Sequence, residues 1–172
     1  MNIQSMKYFN VSLLGLRGKQ HPALNGPISV KQVLNMRIHL KILCGDYLTY
    51  EKRARQSGGS PDCQMCYRDC ENYCHLATSC EPLRETRERL MAHIYSFCHE
   101  NYINLTHIVS DKEQLTQFLI DPASMNLKHR VNISDPVLPN LFQLCRRFWN
   151  GIHHERTKII KTSSAQLKAN ND

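Results

Sequence analysis

The sequence predicts an all-α fold, a small helical domain carrying a cysteine-rich insert, with any strands short and close to the cysteines. Three observations lead there. Apolar residues recur at three- and four-residue steps over three segments, the periodicity of an amphipathic helix. No convincing alternating segment of five or more residues reads as a strand. Eight cysteines and nine histidines in 172 residues gather ligand-type side chains between the helical segments. The length fits one domain, or one domain and a tail. A composition of 41% hydrophobic and 22% charged residues argues against both disorder and a fibrous repeat.

Residues 1–26 hold Gly15, Gly18, Pro22 and Gly26 with little periodicity and read as a loosely structured leader. The domain proper is expected over 27–161. Its first helix starts near Ser29, with Val30, Val33, Leu34, Ile38 and Ile42 in step and Gly45 where a C-cap belongs. A basic stretch with Lys52, Arg53 and Arg55 follows, then the breaker Ser57, Gly58, Gly59, Ser60, Pro61. The cysteine-rich insert occupies 61–82. Pro82 suits a first helical turn, and Leu83, Leu90, Met91, Ile94, Phe97 and Cys98 line one side of a helix to about Glu100.

Ser110 with Glu113 forms a capping-box pattern before Leu115, Phe118 and Leu119, and Pro122 ends that short helix. The longest stripe, Leu138, Leu141, Cys145, Phe148, Ile152 and Ile159, begins near Pro136 or Pro139 and is broken only at Glu155. Residues 162–172 are polar and are expected to fray.

Within the insert, Cys63 and Cys66 enclose two residues, the spacing at which one tight turn brings two sulfurs onto a single tetrahedral ion. His75 and Cys80 enclose four residues and can supply the other two corners of a Cys3His site for Zn2+. Three thiolates and a neutral imidazole around Zn2+ leave one net negative charge, so a nearby cation such as Arg68 or Arg84 is favourable. Five residues of regular helix rotate a side chain by about 500°, roughly 140° out of alignment. His75 and Cys80 therefore require a turn or a bent helix start. Cys70 and Cys74 leave an all-thiolate set open, Cys63, Cys66, Cys70 and Cys74 or Cys80. Reduced structural thiols and a disulfide framework are further possibilities.

Other finger patterns fail on counting. A retroviral-type knuckle needs its histidine where Glu71 stands, and a two-Cys, two-His finger needs one about thirteen positions after Cys66, where Ser79 stands.

The run LKILCGDYLTYEKRARQSGGSPDCQMCYRDCENYCHLATSCEPLRETRERL, followed by LTQFLIDPASMNL and LFQLCRRFWNGIHHERTKII, resembles the C-terminal region of the reverse transcriptases encoded by non-LTR retrotransposons. The shared order is a helix ending near a glycine, a linker, a Cys-x-x-Cys, a His and Cys enclosing four residues, and helices rich in Leu and Arg. The resemblance covers residues 22–161 and implies zinc ligands at Cys63, Cys66, His75 and Cys80. It also implies a role in holding template nucleic acid, RNA or DNA, beside a polymerase domain. Cys44 stands where the family has a threonine, and Cys70 and Cys74 are extra.

No adjacent pair of aspartates is present to hold the two metal ions of nucleotidyl transfer, and no P-loop or Gly-x-Ser-x-Gly occurs. A non-catalytic, detached module is expected. Twenty-two Lys and Arg against 15 Asp and Glu give a net charge of +7, which favours anionic partners. Lys52, Arg53, Arg55 and Arg68, interleaved with Tyr47, Tyr50, Tyr67 and Tyr73, are the candidate nucleic-acid contacts. On the last helix His153, His154, Arg146, Arg147, Arg156, Lys158 and Lys161 read as a solvated basic face. The alternative function is a structural or protein-interaction module whose last helix docks on a partner through Leu141, Phe148 and Ile152.

No apolar run reaches the roughly 18–20 residues a membrane span needs. The best secretory candidate, Phe9 to Leu16, is interrupted by Asn10 and Ser12. An intracellular protein of nucleus or cytoplasm, with reduced thiols, is expected.

Overall fold

A computed structural model describes residues 30–128 and 131–169. The leader expected over 1–26 lies outside them, as do the last three residues of the tail. Helix α1, Val30–Leu43, forms where the first stripe predicts it. It ends in a Schellman motif: the Gly45 N–H donates to Ile42 O at 3.0 Å, the Asp46 N–H to Lys41 O at 2.6 Å, and Gly45 takes φ 69°.

Helix α2, Tyr50–Ser57, has no apolar stripe and was not foreseen. Its signals are local: Thr49 Oγ1 accepts from the Lys52 N–H at 3.2 Å, and Gly58 at φ 77° closes the far end. After the insert, a 3-10 turn Glu81–Leu83 containing Pro82 leads into α3, Arg84–Glu100. Short α4, Thr106–Val109, precedes α5, Lys112–Ile120, then α6, Ala123–Lys128, and α7, Leu138–Ala169. The fold is all-α. Among the described residues the sole β-pairing is an isolated bridge between Asp62 and Cys70 in the insert.

Two boundaries differ from expectation. The cap of α5 is Asp111, one residue past Ser110. Its carboxylate accepts from the N–H groups of Glu113 and Gln114, and a charged acceptor there also meets the positive end of the helix dipole. Ser110 Oγ turns back to donate to His107 O. The polar stretch after Thr162 continues α7 to Ala169, because Ala165, Gln166, Lys168 and Ala169 are good helix formers.

Helix α7 packs along α3 and α1. Its stripe Leu141, Phe142, Cys145, Phe148, Trp149 and Ile152 is fully buried against Ile94, Phe118 and Leu119. Gly151 permits a close approach of α3: a Cβ added there would sit 2.5 Å from Leu90 Cδ1.

The buried C-terminal end of α5 leaves carbonyls that the helix itself cannot satisfy. Three side chains from other helices reach them. His39 Nε2 donates to Ile120 O at 2.8 Å, Trp149 Nε1 to Leu119 O at 2.9 Å, and Cys145 Sγ to Phe118 O at 3.8 Å. Trp149→Phe keeps most of the ring packing but strands the Leu119 carbonyl, and is expected to lower stability by about 1–3 kcal/mol in urea unfolding with the m-value unchanged.

Helix α3 ends in the same motif as α1. The Tyr102 N–H donates to His99 O at 3.1 Å and the Ile103 N–H to Cys98 O at 2.8 Å. The left-handed position is occupied by Tyr102 at φ 55°, where α1 uses glycine. A non-glycine residue costs about 1–2 kcal/mol in that region.

Candidate metal centre

The insert folds around its first two cysteines. The Tyr67 N–H donates to Cys63 O at 2.8 Å, closing the Cys63–Cys66 turn, with Tyr67 at φ 55°. The Cys63 N–H donates to Asp69 O at 2.9 Å and the Glu71 N–H to Pro61 O at 2.9 Å, so the chain doubles back beside the turn. His75–Ser79 then forms one π-helical turn, and the Cys80 N–H reaches His75 O at 2.9 Å. That five-residue bond places His75 and Cys80 about one turn apart, the distortion that regular helical geometry excludes and the ligand spacing requires.

The outcome is a cluster of one ligand atom each from Cys63, Cys66, His75 and Cys80, all within 4.8 Å of one another. Metal–sulfur bonds of about 2.3 Å at tetrahedral angles separate two sulfurs by about 3.8 Å, and a sulfur from an imidazole nitrogen by about 3.6 Å. Cys63 Sγ lies 3.8 Å from Cys80 Sγ, and Cys66 Sγ lies 3.4 Å from His75 Nε2. These edges fit a divalent ion with a Cys3His donor set.

Cys70 and Cys74 are not in the cluster. Cys74 Sγ faces Thr78 Oγ1 at 3.8 Å, and burial raises the Cys70 thiol. All eight cysteines are free thiols. Burial pushes Cys98 up to about 12 and Cys145 well above the usual thiol range, which makes both poor ligands and poor nucleophiles.

The hydrogen bond between Cys63 and Cys80 holds the Cys63 thiol low and, with burial, drives that of Cys80 up; binding a divalent cation would require both as thiolates. His75 Nδ1 is buried with no hydrogen bond, and Asp69 Oδ2 lies 3.5 Å from it. That separation is an ion-pair distance longer than a hydrogen bond, and a small shift of the exposed Asp69 would make it the carboxylate that fixes the tautomer of a ligating imidazole.

The cations around the site are held in different ways. Arg84 pairs with Glu81 at 3.2 Å, and Arg68 is exposed. Arg87 donates to Cys80 O at 2.9 Å. Behind Cys63 sits Glu71, 0% exposed, with Oε2 3.9 Å from the sulfur. Arg156 meets it with two bonds, Nη2 to Oε1 at 2.7 Å and Nε to Oε2 at 3.1 Å, and the Tyr50 N–H donates to Oε1 at 2.9 Å.

Arg156 is thus no part of a solvated face. It joins α7 to the insert and lies over the rings of Tyr47 and Tyr50, 5.8 and 5.4 Å from their centroids. His153 also turns inward, with Nδ1 3.0 Å from Tyr47 Oη. Neither pairing was legible, because Glu71 and Arg156 are 85 residues apart and both belong to types that are usually exposed.

Burial, then the Arg156 charge, lowers the His153 pKa. The unfolded chain therefore takes up this proton first as pH falls through about 6.5. The stability His153 contributes is present above that pH and is lost as pH drops toward its folded value. His153→Gln is expected to flatten the pH dependence of the unfolding free energy across that window.

Of the four candidate nucleic-acid contacts, Lys52 Nζ donates to Gly45 O at 2.6 Å and Asp46 Oδ1 at 3.1 Å, closing the end of α1. Arg55 pairs with Glu51 within α2, Arg53 lies 5.1 Å from the Tyr50 ring centroid, and Arg68 projects from the knuckle beside the exposed Tyr67. Tyr47 and Tyr50 pack inward, and Tyr73 meets Trp149 edge to face at 6.3 Å.

No described helix is long and apolar enough to cross a membrane. No family model, curated protein or solved structure matches the chain.

Proposed function

We propose that this chain is a non-catalytic helical module, held together by one zinc ion on Cys63, Cys66, His75 and Cys80, that contacts RNA or DNA. The four-atom cluster, with two of its edges near tetrahedral lengths, carries the metal part of the reading. Support for nucleic acid comes from the net charge of +7, from the exposed side chains of Arg53, Arg68 and Tyr67, and from the resemblance to the C-terminal region of non-LTR reverse transcriptases. In that setting its protein partner is a polymerase domain, and the compartment is nucleus or cytoplasm, where reduced thiols persist.

The protein-interaction alternative assigns docking to Leu141, Phe148 and Ile152. Their exposures of 0%, 0% and 1% commit them to the domain's own core, which favours the nucleic-acid reading. Fluorescence anisotropy across a salt series tests it. Binding to a single strand should weaken with a log–log slope of about −0.7 per phosphate contacted, and Arg68→Ala should reduce the slope by about that amount. Salt-independent binding, or none, would refute the reading.

A further inference from the structure

Among the described residues, positive φ outside glycine occurs at Tyr67 and Tyr102. These are also the two most exposed large side chains with an apolar body, at 71% and 96%. Exposure alone is unremarkable for a tyrosine. The conjunction is not, because the chain closes α1 with glycine at the same Schellman position and closes α3 with Tyr102. A ring 96% exposed contributes nothing to the core, and its backbone conformation is one that glycine adopts without strain. Local strain that packing does not repay is a mark of a functional position.

Tyr102 stands at the rim of a cleft of about 670 Å³ between the end of α3 and the start of α5. Beyond the ring the walls are mixed: Ile108 and Val131 supply apolar surface, and Asn104, His107, Gln114 and Asn132 supply polar groups. A flat apolar face beside amide and imidazole groups suits a planar heterocycle that stacks on one side and hydrogen-bonds along its edge. The start of α5, which lines the cleft through Asp111 and Gln114, is tied to the insert, where Lys112 donates to Ser79 of the π-turn at 3.0 Å.

We propose that this cleft takes a single unpaired base of a nucleic-acid strand, stacked on Tyr102. The assignment rests on the nucleic-acid reading above and adds where and how one base is held. It implies a preference for single strands, because a base inside a duplex has no free face to offer.

The test measures anisotropy of a fluorescein-labelled oligouridylate, and of a labelled duplex, with wild type, Tyr102→Gly and Tyr102→Phe. Tyr102→Gly removes the ring and relaxes the backbone, so its melting temperature should equal or exceed wild type while its Kd for the single strand rises about tenfold. Duplex binding should not change, and Tyr102→Phe should bind the single strand as wild type does. If Tyr102→Gly binds the single strand as tightly as a wild type that does bind, the stacking site is wrong and the nucleic-acid reading survives. If wild type binds neither probe, both fall. If uridine monophosphate competes as well as unlabelled strand, the cleft serves a free nucleotide and the assignment to a strand is overturned.

Discussion

Cys63→Ser is expected to abolish stoichiometric zinc binding and to unfold the insert from Pro61 to Leu83. A serine hydroxyl does not ionise near neutral pH, so the ion loses one of three thiolates and the remaining donors no longer close a tetrahedron. Structural zinc contributes roughly 10–16 kcal/mol in small metal domains, against about 5–15 kcal/mol for the stability of a whole domain, so the loss exceeds what the local hydrogen bonds can offset. Besides the ion, the Glu71–Arg156 pair and a few bonds from α2, α3 and α5 hold the insert to the helices, but little holds its own loops together. Its sole ladder contact is the Asp62–Cys70 bridge, and Cys63 and Cys80 are themselves part of its buried core.

Helices α3 and α7 bury their own stripes against each other, so helicity should fall only in part. Amide protection over residues 61–83 should vanish, and the melting midpoint should drop by more than about 10 °C. Cys74→Ser, outside the cluster, should retain both metal and midpoint. A Cys63→Ser protein that keeps its midpoint in the presence of a chelator would refute the structural role of the ion.

Arg156→Met is expected to be the second most damaging change, costing about 3–5 kcal/mol in chemical unfolding. It removes both bonds to Glu71 and leaves a fully buried carboxylate 3.9 Å from Cys63 Sγ. Methionine preserves much of the side-chain length, so the loss is electrostatic rather than steric. An unneutralised carboxylate also repels the thiolates, and zinc should leave at lower chelator concentration than from wild type. Adding Glu71→Gln in the same chain should recover a substantial part of the stability, because the amide oxygen can still accept from the Tyr50 N–H while the uncompensated charge is gone. A double variant no more stable than Arg156→Met would contradict the assignment of the loss to a buried charge.

The parts legible in the sequence were those governed by short-range rules. Apolar steps located α1, α3 and α7, and Pro82, Gly45 and Pro122 marked boundaries that the fold respects. The spacing of Cys63, Cys66, His75 and Cys80 favoured the set that clusters while leaving Cys70 and Cys74 in competition, and helix geometry required the distortion between His75 and Cys80 that the π-turn supplies. Helix α2 was missed because capping by Thr49, rather than an apolar stripe, supports it. The Glu71–Arg156 clasp and the side-chain capping of α5 by His39, Cys145 and Trp149 exist only once distant segments meet. Periodicity along one helix could therefore place Arg156 on an outer face but could not show which carboxylate it turns inward to meet. Tyr102 carried no signal at all, since a left-handed position has to be seen in the backbone before its occupant looks unusual.

Zinc K-edge X-ray absorption on the protein purified under reducing conditions probes the metal centre most directly. One zinc per chain should show three sulfurs at about 2.3 Å and one nitrogen at about 2.0–2.1 Å, the shell that Cys63, Cys66, His75 and Cys80 provide. A four-sulfur shell would bring Cys70 or Cys74 in place of His75, and a preparation without stoichiometric metal would remove the centre altogether.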